Sequence, residues 1–183
     1  MFKLFLRFAT VAMGGGRVRP ASQDKKGTHV PQDDSQPGLL GQAPPIRVEC
    51  KPDNAGLRAP GDPQQIQQVL LNLLKNALDA HRAAGRPDAP ITISIEPQGD
   101  RLALAVKDEG APLGEAERAR LFEPFYTTRP DGLGLGLAIC RGIAETHGGA
   151  LQARPAGAAG EPGMVFELLL PLAPPTPPQE TAP

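Results

Sequence analysis

The stretch DGLGLGLAIC (131–140) carries residue types suited to holding an anion. Its three glycines, Gly132, Gly134 and Gly136, alternate with leucines, and apolar residues then continue at roughly helical spacing to Thr146. Glycine is unfavourable inside strands, because it loses the most backbone entropy and has no side chain to pack. We therefore predict a glycine-rich turn that leads into a helix running to about His147, which Gly148-Gly149 ends. In such an arrangement the backbone N–H groups of the turn face an anion, usually a phosphate. The stretch matches neither G-x-G-x-x-G nor G-x-x-x-x-G-K-[ST], which indicates another class of nucleotide site.

Polar residues also follow one edge of a predicted amphipathic helix. The helix is expected from Asp62-Pro63, a good N-cap and first residue, to about Ala84, because apolar residues recur at i, i+3 and i+4. Polar residues on a half-exposed helix need no function, but asparagine is a weak helix former, and its amide oxygen suits Mg²⁺ that already carries phosphates. Together with the glycine-rich turn, this polar edge predicts a magnesium–nucleotide site. The residues of the edge are Gln68, Asn72, Asn76 and Asp79.

These two helices must pack against strands. Short apolar or alternating runs predict five strands, and the second and third form a hairpin, as do the last two. The expected fold class is α+β: a two-layer α/β sandwich with the helices packed on one face of a mixed, mostly antiparallel sheet. The predicted strands are IRVEC (46–50), ITISIE (91–96), RLALAVKD (101–108), ALQAR (150–154) and MVFELLLPL (164–172).

Composition excludes several classes of function. The 183 residues carry a formal net charge of −1, which argues against a nucleic-acid or anionic-membrane partner. No stretch approaches the roughly 20 apolar residues of a membrane helix. The two cysteines lie in separate apolar runs and are predicted to be buried thiols of a cytoplasmic protein, and the three histidines form no metal-ligand pattern.

Four motifs in a fixed order give the chain a specific resemblance. The segments QQVLLNLLKNALDA (67–80), VKDEGAP (106–112), LFEPFYTTRPDGLGLGLAI (121–139) and AETHGGAL (144–151) resemble the N, G1, F and G2 boxes of the ATP-binding catalytic domain of two-component sensor histidine kinases. That domain has the Bergerat-type ATP-binding fold and shares its superfamily with type II topoisomerase, Hsp90 and mismatch-repair ATPases. The resemblance covers about residues 46–172.

The resemblance implies roles for the residues of the first box. Asn76 would coordinate Mg²⁺ through its side-chain oxygen, and Asn72 would lie near the phosphates. Lys75 and Asp79 fall at flanking positions that commonly face the nucleotide. Asn72, Lys75 and Asn76 are thus the predicted catalytic residues, with ATP and Mg²⁺ as the cofactors.

The other boxes complete the implied site. Asp108 would accept a hydrogen bond from the exocyclic amine of adenine, with Gly110 allowing the backbone to approach the base; guanine would present a carbonyl to the carboxylate instead. Beyond these two, the implied nucleotide-binding residues belong to a lid whose glycines supply the phosphate-facing turn: Thr127, Thr128, Arg129, Gly132, Leu133, Gly134, Leu135 and Gly136.

Two departures from the family pattern bear on activity. Pro112 replaces the second glycine of D-x-G-x-G, which removes a backbone donor and stiffens the first hinge of the lid. Asn72 stands where hydrolysing members of the superfamily place a glutamate, and asparagine cannot act as a general base. Strong hydrolysis to solvent is therefore not expected, whereas transfer to a neutral histidine needs no such base.

The motifs include no phosphoacceptor histidine of the kind that such a kinase requires. Residues 1–45 contain neither two amphipathic helices nor an H-[ED] motif, and His29, His81 and His147 are predicted to be surface or capping residues. We expect three segments: a disordered or vestigial segment at 1–45, the catalytic domain at 46–172 and a disordered proline-rich tail at 173–183.

The leading interpretation is the catalytic domain of a protein-histidine kinase in two-component signalling. It would be incomplete without a phosphoacceptor in trans, with a dimerising hairpin domain and a response regulator as partners and the chain itself a monomer. One alternative is an anti-sigma-factor-like serine kinase, which generally keeps the glutamate that Asn72 replaces. The other is a non-catalytic nucleotide-binding module, which the Pro112 change and the missing phosphoacceptor favour.

Overall fold

The structure is a computed structural model that describes residues 19–20, 44–50, 57–129, 132–158 and 161–173. The segments predicted at 1–45 and 173–183, and with them His29, lie almost wholly outside the described residues. The domain limits of 46–172 stay a prediction.

Helix α1 (Pro63–Ala83) is the long amphipathic helix expected from the sequence. Asp62 caps its start by accepting the Gln64 N–H at 2.8 Å, and Pro63 occupies the first helical position, where no N–H is needed. Its apolar stripe is buried, as burial of one face of a 3.6-residue repeat requires, and consists of Val69, Leu70, Leu73, Leu74 and Ala77.

The described strands form one mixed sheet in the order β1-β2-β3-β4-β6-β5. β2 pairs parallel with the two-residue β1 and with β3, whereas the pairs β3–β4, β4–β6 and β5–β6 are antiparallel, which confirms the predicted mostly antiparallel sheet. The strand bounds are β1 Arg19–Pro20, β2 Ile46–Cys50, β3 Ile91–Gln98, β4 Arg101–Lys107, β5 Ala150–Pro155 and β6 Met164–Pro171.

The hairpin between β3 and β4 is tighter than predicted. Pairing continues to Gln98 and Arg101, so the turn contains two residues instead of the four of PQGD (97–100). Gly99 has φ +63°, a left-handed conformation that glycine adopts without steric cost and that a two-residue hairpin turn needs. Strand pairing therefore extends two residues beyond the alternating pattern.

The second layer consists of α1 and the helix α3 (Gly136–Thr146), both on one face of the sheet, and a short helix, α2 (Glu115–Arg120), comes between them in the chain. Ile91, Ile93 and Leu168 are fully buried beneath them, while Thr92, Ser94 and Lys107 point to the opposite, partly exposed face. The two-layer sandwich is confirmed. None of the helices in the described ranges combines the length and apolar character that crossing a membrane requires.

Glycines lie at both ends of α3. The helix begins at Gly136 and stops before Gly148, whose φ is +66°, and Gly149 N–H donates to the Ala144 carbonyl at 2.9 Å, as the sequence predicted for the Gly-Gly stop. His147 caps this end: its Nδ1 donates to the Ile143 carbonyl at 2.7 Å, and its Nε2 accepts the Asp62 N–H at 3.0 Å. The end of α3 is thus joined to the start of α1.

Candidate nucleotide-binding site

The polar edge of α1 that carries Asn72 and Asn76, here called the asparagine edge, has a different partner for each asparagine. Asn72 is partly buried and donates from Nδ2 to Sγ of Cys140 on α3 at 3.4 Å. Burial raises the pKa of the Cys140 thiol, so the sulfur stays protonated and neutral, and Asn72 turns its amide nitrogen toward α3. Its side-chain oxygen remains for another partner. Cys140 is fully buried as predicted, whereas Cys50 is only partly buried.

Asn76 and Asp79 meet the base of the predicted lid. The Arg129 guanidinium donates from Nη2 to Asn76 Oδ1 and from Nη1 to Asp79 Oδ2, each at 2.5 Å. Asp79 also pairs through Oδ1 with Arg82 at 3.2 Å. Two side-chain oxygens of α1 therefore converge on one cationic group, which is the electrostatic environment that a metal cation would require.

Two hydrogen bonds hold the backbone of Arg129 in that position. Thr127 Oγ1 accepts the Arg129 N–H at 3.0 Å, and Gly132 N–H donates to the Arg129 carbonyl at 3.3 Å. A Cβ at Gly132 would lie 2.6 Å from Thr127 Oγ1, so a larger residue here would displace the hydroxyl that accepts the Arg129 N–H. Lys75 and Thr128 are exposed beside this cluster.

The rest of the glycine-rich stretch forms a backbone clasp before α3. Phe125 N–H donates to the Gly134 carbonyl at 3.0 Å, and both residues have positive φ, +67° and +66°. A Cβ at Gly134 would lie 2.5 Å from the Phe125 carbonyl carbon. Gly136 by contrast faces open space, and the N-cap Leu135 provides no side-chain hydrogen bond to the first turn of α3. Leu133 is 80% exposed.

Asp108 lies at the end of β4 and is 2% exposed. Its Oδ1 accepts the backbone N–H of Gly110 at 2.8 Å and of Met164 at 3.2 Å. Burial raises the pKa of this carboxyl, while the two N–H donors act in the opposite direction. The hydrogen bonds that the structure gives this side chain both end on Oδ1, so Oδ2 is the oxygen left to accept from a ligand.

The packing of the turn against α1 requires glycine at position 110. A Cβ at this position would lie 2.6 Å from Ala80 Cβ, so the turn after β4 packs directly on the last turns of the helix. Gly163 N–H donates to the Gly110 carbonyl at 2.7 Å, which ties the same turn to β6. The Asp108 turn and the asparagine edge are therefore parts of one rigid arrangement around α1.

The prediction for His81 is wrong. The residue was expected at the exposed end of α1, but it is completely buried, and its Nε2 accepts the Glu109 N–H at 2.8 Å. A sequence signal existed: His81 lies four residues after Ala77 and seven after Leu74, on the apolar stripe of the helix. The sequence also did not predict the contact between Asn72 and Cys140, because these two residues lie on different helices and are 68 positions apart in the chain.

Comparison with known proteins identifies the family of the chain. Residues 61–174 match the family model of the histidine kinase-, DNA gyrase B- and HSP90-like ATPases. The sensor protein TdiS of Thauera aromatica is 41% identical over 110 residues, 59% of this chain and 20% of TdiS. The chain spans about a fifth of the length of the curated relatives that it matches.

Two solved structures show the same fold. The catalytic domain of histidine kinase ThkA is 35% identical with a TM-score of 0.58, covering 69% of this chain and 77% of that one. Full-length ShkA in complex with AMPPNP is 27% identical with a TM-score of 0.57, covering 70% of this chain and 26% of that one. The resemblance predicted from the four boxes is confirmed: the chain belongs to the histidine kinase-, DNA gyrase B- and HSP90-like ATPase family.

Proposed function

We propose that the described domain binds ATP with Mg²⁺ and transfers the γ-phosphoryl group to a histidine on a separate, dimerising hairpin domain. The observation that carries this proposal is the buried Asp108, whose Oδ1 is occupied by two backbone donors and whose Oδ2 remains as an acceptor. An amine of adenine satisfies that acceptor, whereas a carbonyl of guanine does not. The solved structure of the similar protein ShkA is a complex with AMPPNP, an adenine nucleotide.

The phosphates would lie between α1 and the start of α3. The first-turn N–H groups of α3 lack a side-chain cap, and Gly136 faces open space, so both are available to phosphate oxygens. Arg129, Thr127 and Thr128 would contribute donors from the base of the lid. Lys75 is exposed on α1 and adds positive charge at the same edge.

The donor set fits magnesium. Asn76 Oδ1 and Asp79 Oδ2 are hard oxygen ligands that already converge on the cationic Arg129, and Mg²⁺ prefers such oxygens together with phosphates. Within the described residues, no three His, Cys, Asp or Glu side chains gather as metal ligands, so the site rests on these two oxygens and on the nucleotide. When bound, Mg²⁺ would neutralise charge on the triphosphate.

The residues of this chain would act mainly by positioning. Asn72 would offer its side-chain oxygen beside the phosphates but no basic group, because an amide is not a base, and its nitrogen donates to Cys140. In the transfer, the bond between the γ-phosphorus and the β–γ bridging oxygen breaks as the histidine nitrogen bonds to phosphorus, and ADP leaves with the electron pair. A neutral imidazole supplies its own lone pair and loses its proton after attack, so no general base from Asn72 is needed.

The partners follow from that reaction. The acceptor histidine would belong to a separate hairpin domain, because of the two histidines in the described residues His81 is buried and His147 is bound at both ring nitrogens. A response regulator would take the phosphoryl group from that histidine. ATP as the substrate places the reaction in the cytoplasm, and we expect the domain itself to be monomeric.

Calorimetric titration of MgATP into the full chain tests the proposal, with GTP as the competing nucleotide and Asn76→Ala as the variant. We expect binding that requires Mg²⁺, prefers adenine and is lost in the variant. Phosphotransfer to an added histidine hairpin domain then separates a kinase from a non-catalytic binding module. A folded wild-type chain that binds no nucleotide would overturn the proposal.

A further inference from the structure

The end of α1 holds the turn that follows Asp108 from one side. His81 Nε2 accepts the Glu109 N–H at 2.8 Å, and Arg86 binds the Glu109 carbonyl at 3.1 Å and its carboxylate at 2.7 Å. The Arg86 N–H in turn donates to the His81 carbonyl at 2.8 Å. Glu109 is thus fixed at its N–H, its carbonyl and its side chain by residues of, or just after, one helix.

The His81 contact assigns the protonation of the ring. An imidazole nitrogen that accepts a hydrogen bond carries a lone pair, so the ring is neutral with its proton on Nδ1. Among the buried side-chain nitrogens and oxygens of the described ranges, His81 Nδ1 is the one without a hydrogen-bond partner. A buried donor without a partner is unfavourable, and an apolar residue in the same stripe would avoid it. The acceptor at Nε2 is the feature that an apolar residue could not supply.

Both peptide planes around Asp108 are thereby fixed. The preceding plane is held because the Asp108 N–H donates to the Met164 carbonyl at 2.9 Å, and the following plane is held because the Glu109 N–H donates to His81. With the backbone set, the side chain retains only its two χ angles, and the N–H groups of Gly110 and Met164 fix these through Oδ1. The direction of Oδ2 is then determined.

We propose that His81 is a positioning residue for recognition of the base: by accepting the Glu109 N–H, it aims the second carboxylate oxygen of Asp108 at the exocyclic amine of adenine. This inference rests on the proposed ATP-binding function. His81 would act without contacting the nucleotide or Asp108 Oδ2, through the peptide between Asp108 and Glu109.

A matched pair of variants tests the proposal. His81→Gln places an amide oxygen near the position of Nε2, whereas the shorter side chain of His81→Asn reaches only the position of Nδ1. We expect His81→Asn to weaken ATP binding about tenfold, with a much smaller change for inosine triphosphate, which has a carbonyl in place of the amine. His81→Gln should keep the wild-type ratio of the two affinities. Both are measured by calorimetry on the full chain, below the melting temperatures of the variants.

A merely structural role would give another pattern. If the substitution only loosens the fold, both nucleotides lose affinity in the same proportion, or the glutamine variant falls as far as the asparagine variant; either result overturns the proposal. Unchanged ratios in both variants overturn it as well.

A spectroscopic measurement needs no variant. Nitrogen-15 NMR of the wild-type chain should show His81 as the Nδ1–H tautomer, and an Nε2–H or charged ring would refute the assignment. If instead the wild type binds no ATP, or Asp108→Asn does not affect binding, the proposed function fails. In that case the NMR measurement of the His81 tautomer still tests the hydrogen bond between His81 and Glu109.

Discussion

Asp108→Asn separates recognition of the base from the folding of the domain. Asparagine retains Oδ1, so the N–H groups of Gly110 and Met164 keep their acceptor. With Oδ1 held in place, the amide nitrogen must occupy the position of Oδ2. A donor then replaces the acceptor that we propose faces the base, while the backbone around residue 108 remains fixed.

The expected magnitude follows from the hydrogen bond that is lost. A hydrogen bond to a charged group contributes about 1.5–3 kcal/mol, so ATP should bind about 10- to 150-fold more weakly. Inosine triphosphate presents a carbonyl to the new donor and should bind more tightly than it does to the wild type. The preference for ATP over inosine triphosphate should therefore fall by about 100-fold or more, because the two changes combine.

Stability should change in the opposite direction. Burial raises the pKa of Asp108, so the charged carboxylate lowers the free energy of unfolding at neutral pH. This destabilisation decreases as the pH falls through the folded-state pKa of Asp108. It disappears below the ordinary pKa of an aspartate carboxyl, where the group is protonated in both the folded and the unfolded state. Asparagine does not titrate, so the variant should match or exceed the wild type at pH 7, and the difference should shrink toward about pH 4.

Calorimetry with both nucleotides and thermal melting across pH check these expectations. Asp108→Ala is the matched control: it removes the acceptor of two buried N–H groups and should destabilise the fold by about 1–3 kcal/mol for each. An asparagine variant that melts as low as the alanine variant would refute the hydrogen-bond assignment at Oδ1. An asparagine variant that still prefers ATP would refute the role of Oδ2.

Three further outcomes are expected. Gly134→Ala should lower the free energy of unfolding by about 1–3 kcal/mol, because the position has φ +66° and a Cβ would lie 2.5 Å from a backbone carbon, whereas Gly136→Ala faces open space and should melt within a degree or two of the wild type. Thiol labelling of the folded chain should modify Cys50 first and spare Cys140, since burial raises the pKa of that thiol and excludes reagent; equal labelling would contradict this. Asn72→Glu should raise ATP hydrolysis to water by about 100-fold or more, measured as phosphate release, and no increase would show that a base at this position has no access to water.

Periodicity in the sequence predicted the elements better than their contacts. The apolar repeat of α1, the cap at Asp62 and the Gly-Gly stop of α3 are local signals, and the structure confirms them. The hairpin turn at Gly99 was predicted too long, because strand pairing rather than alternation decides where a strand ends. His81 was misplaced because a polar residue at the end of a helix is usually exposed, and only the packing of the Asp108 turn against the helix buries it.

The contact of Arg129 with Asn76 and Asp79 shows what local pattern cannot supply. The residues are separated by 53 and 50 positions, and nothing in their immediate sequence pairs them. The contact joins the predicted lid to Asn76, the proposed metal ligand. A guanidinium and a metal ion cannot occupy the same oxygens at once, so in the proposed site MgATP would bind only if Arg129 exchanged these partners for others, such as phosphate oxygens. Under the proposed function, the present contacts of Arg129 and the entry of the metal would therefore exclude one another.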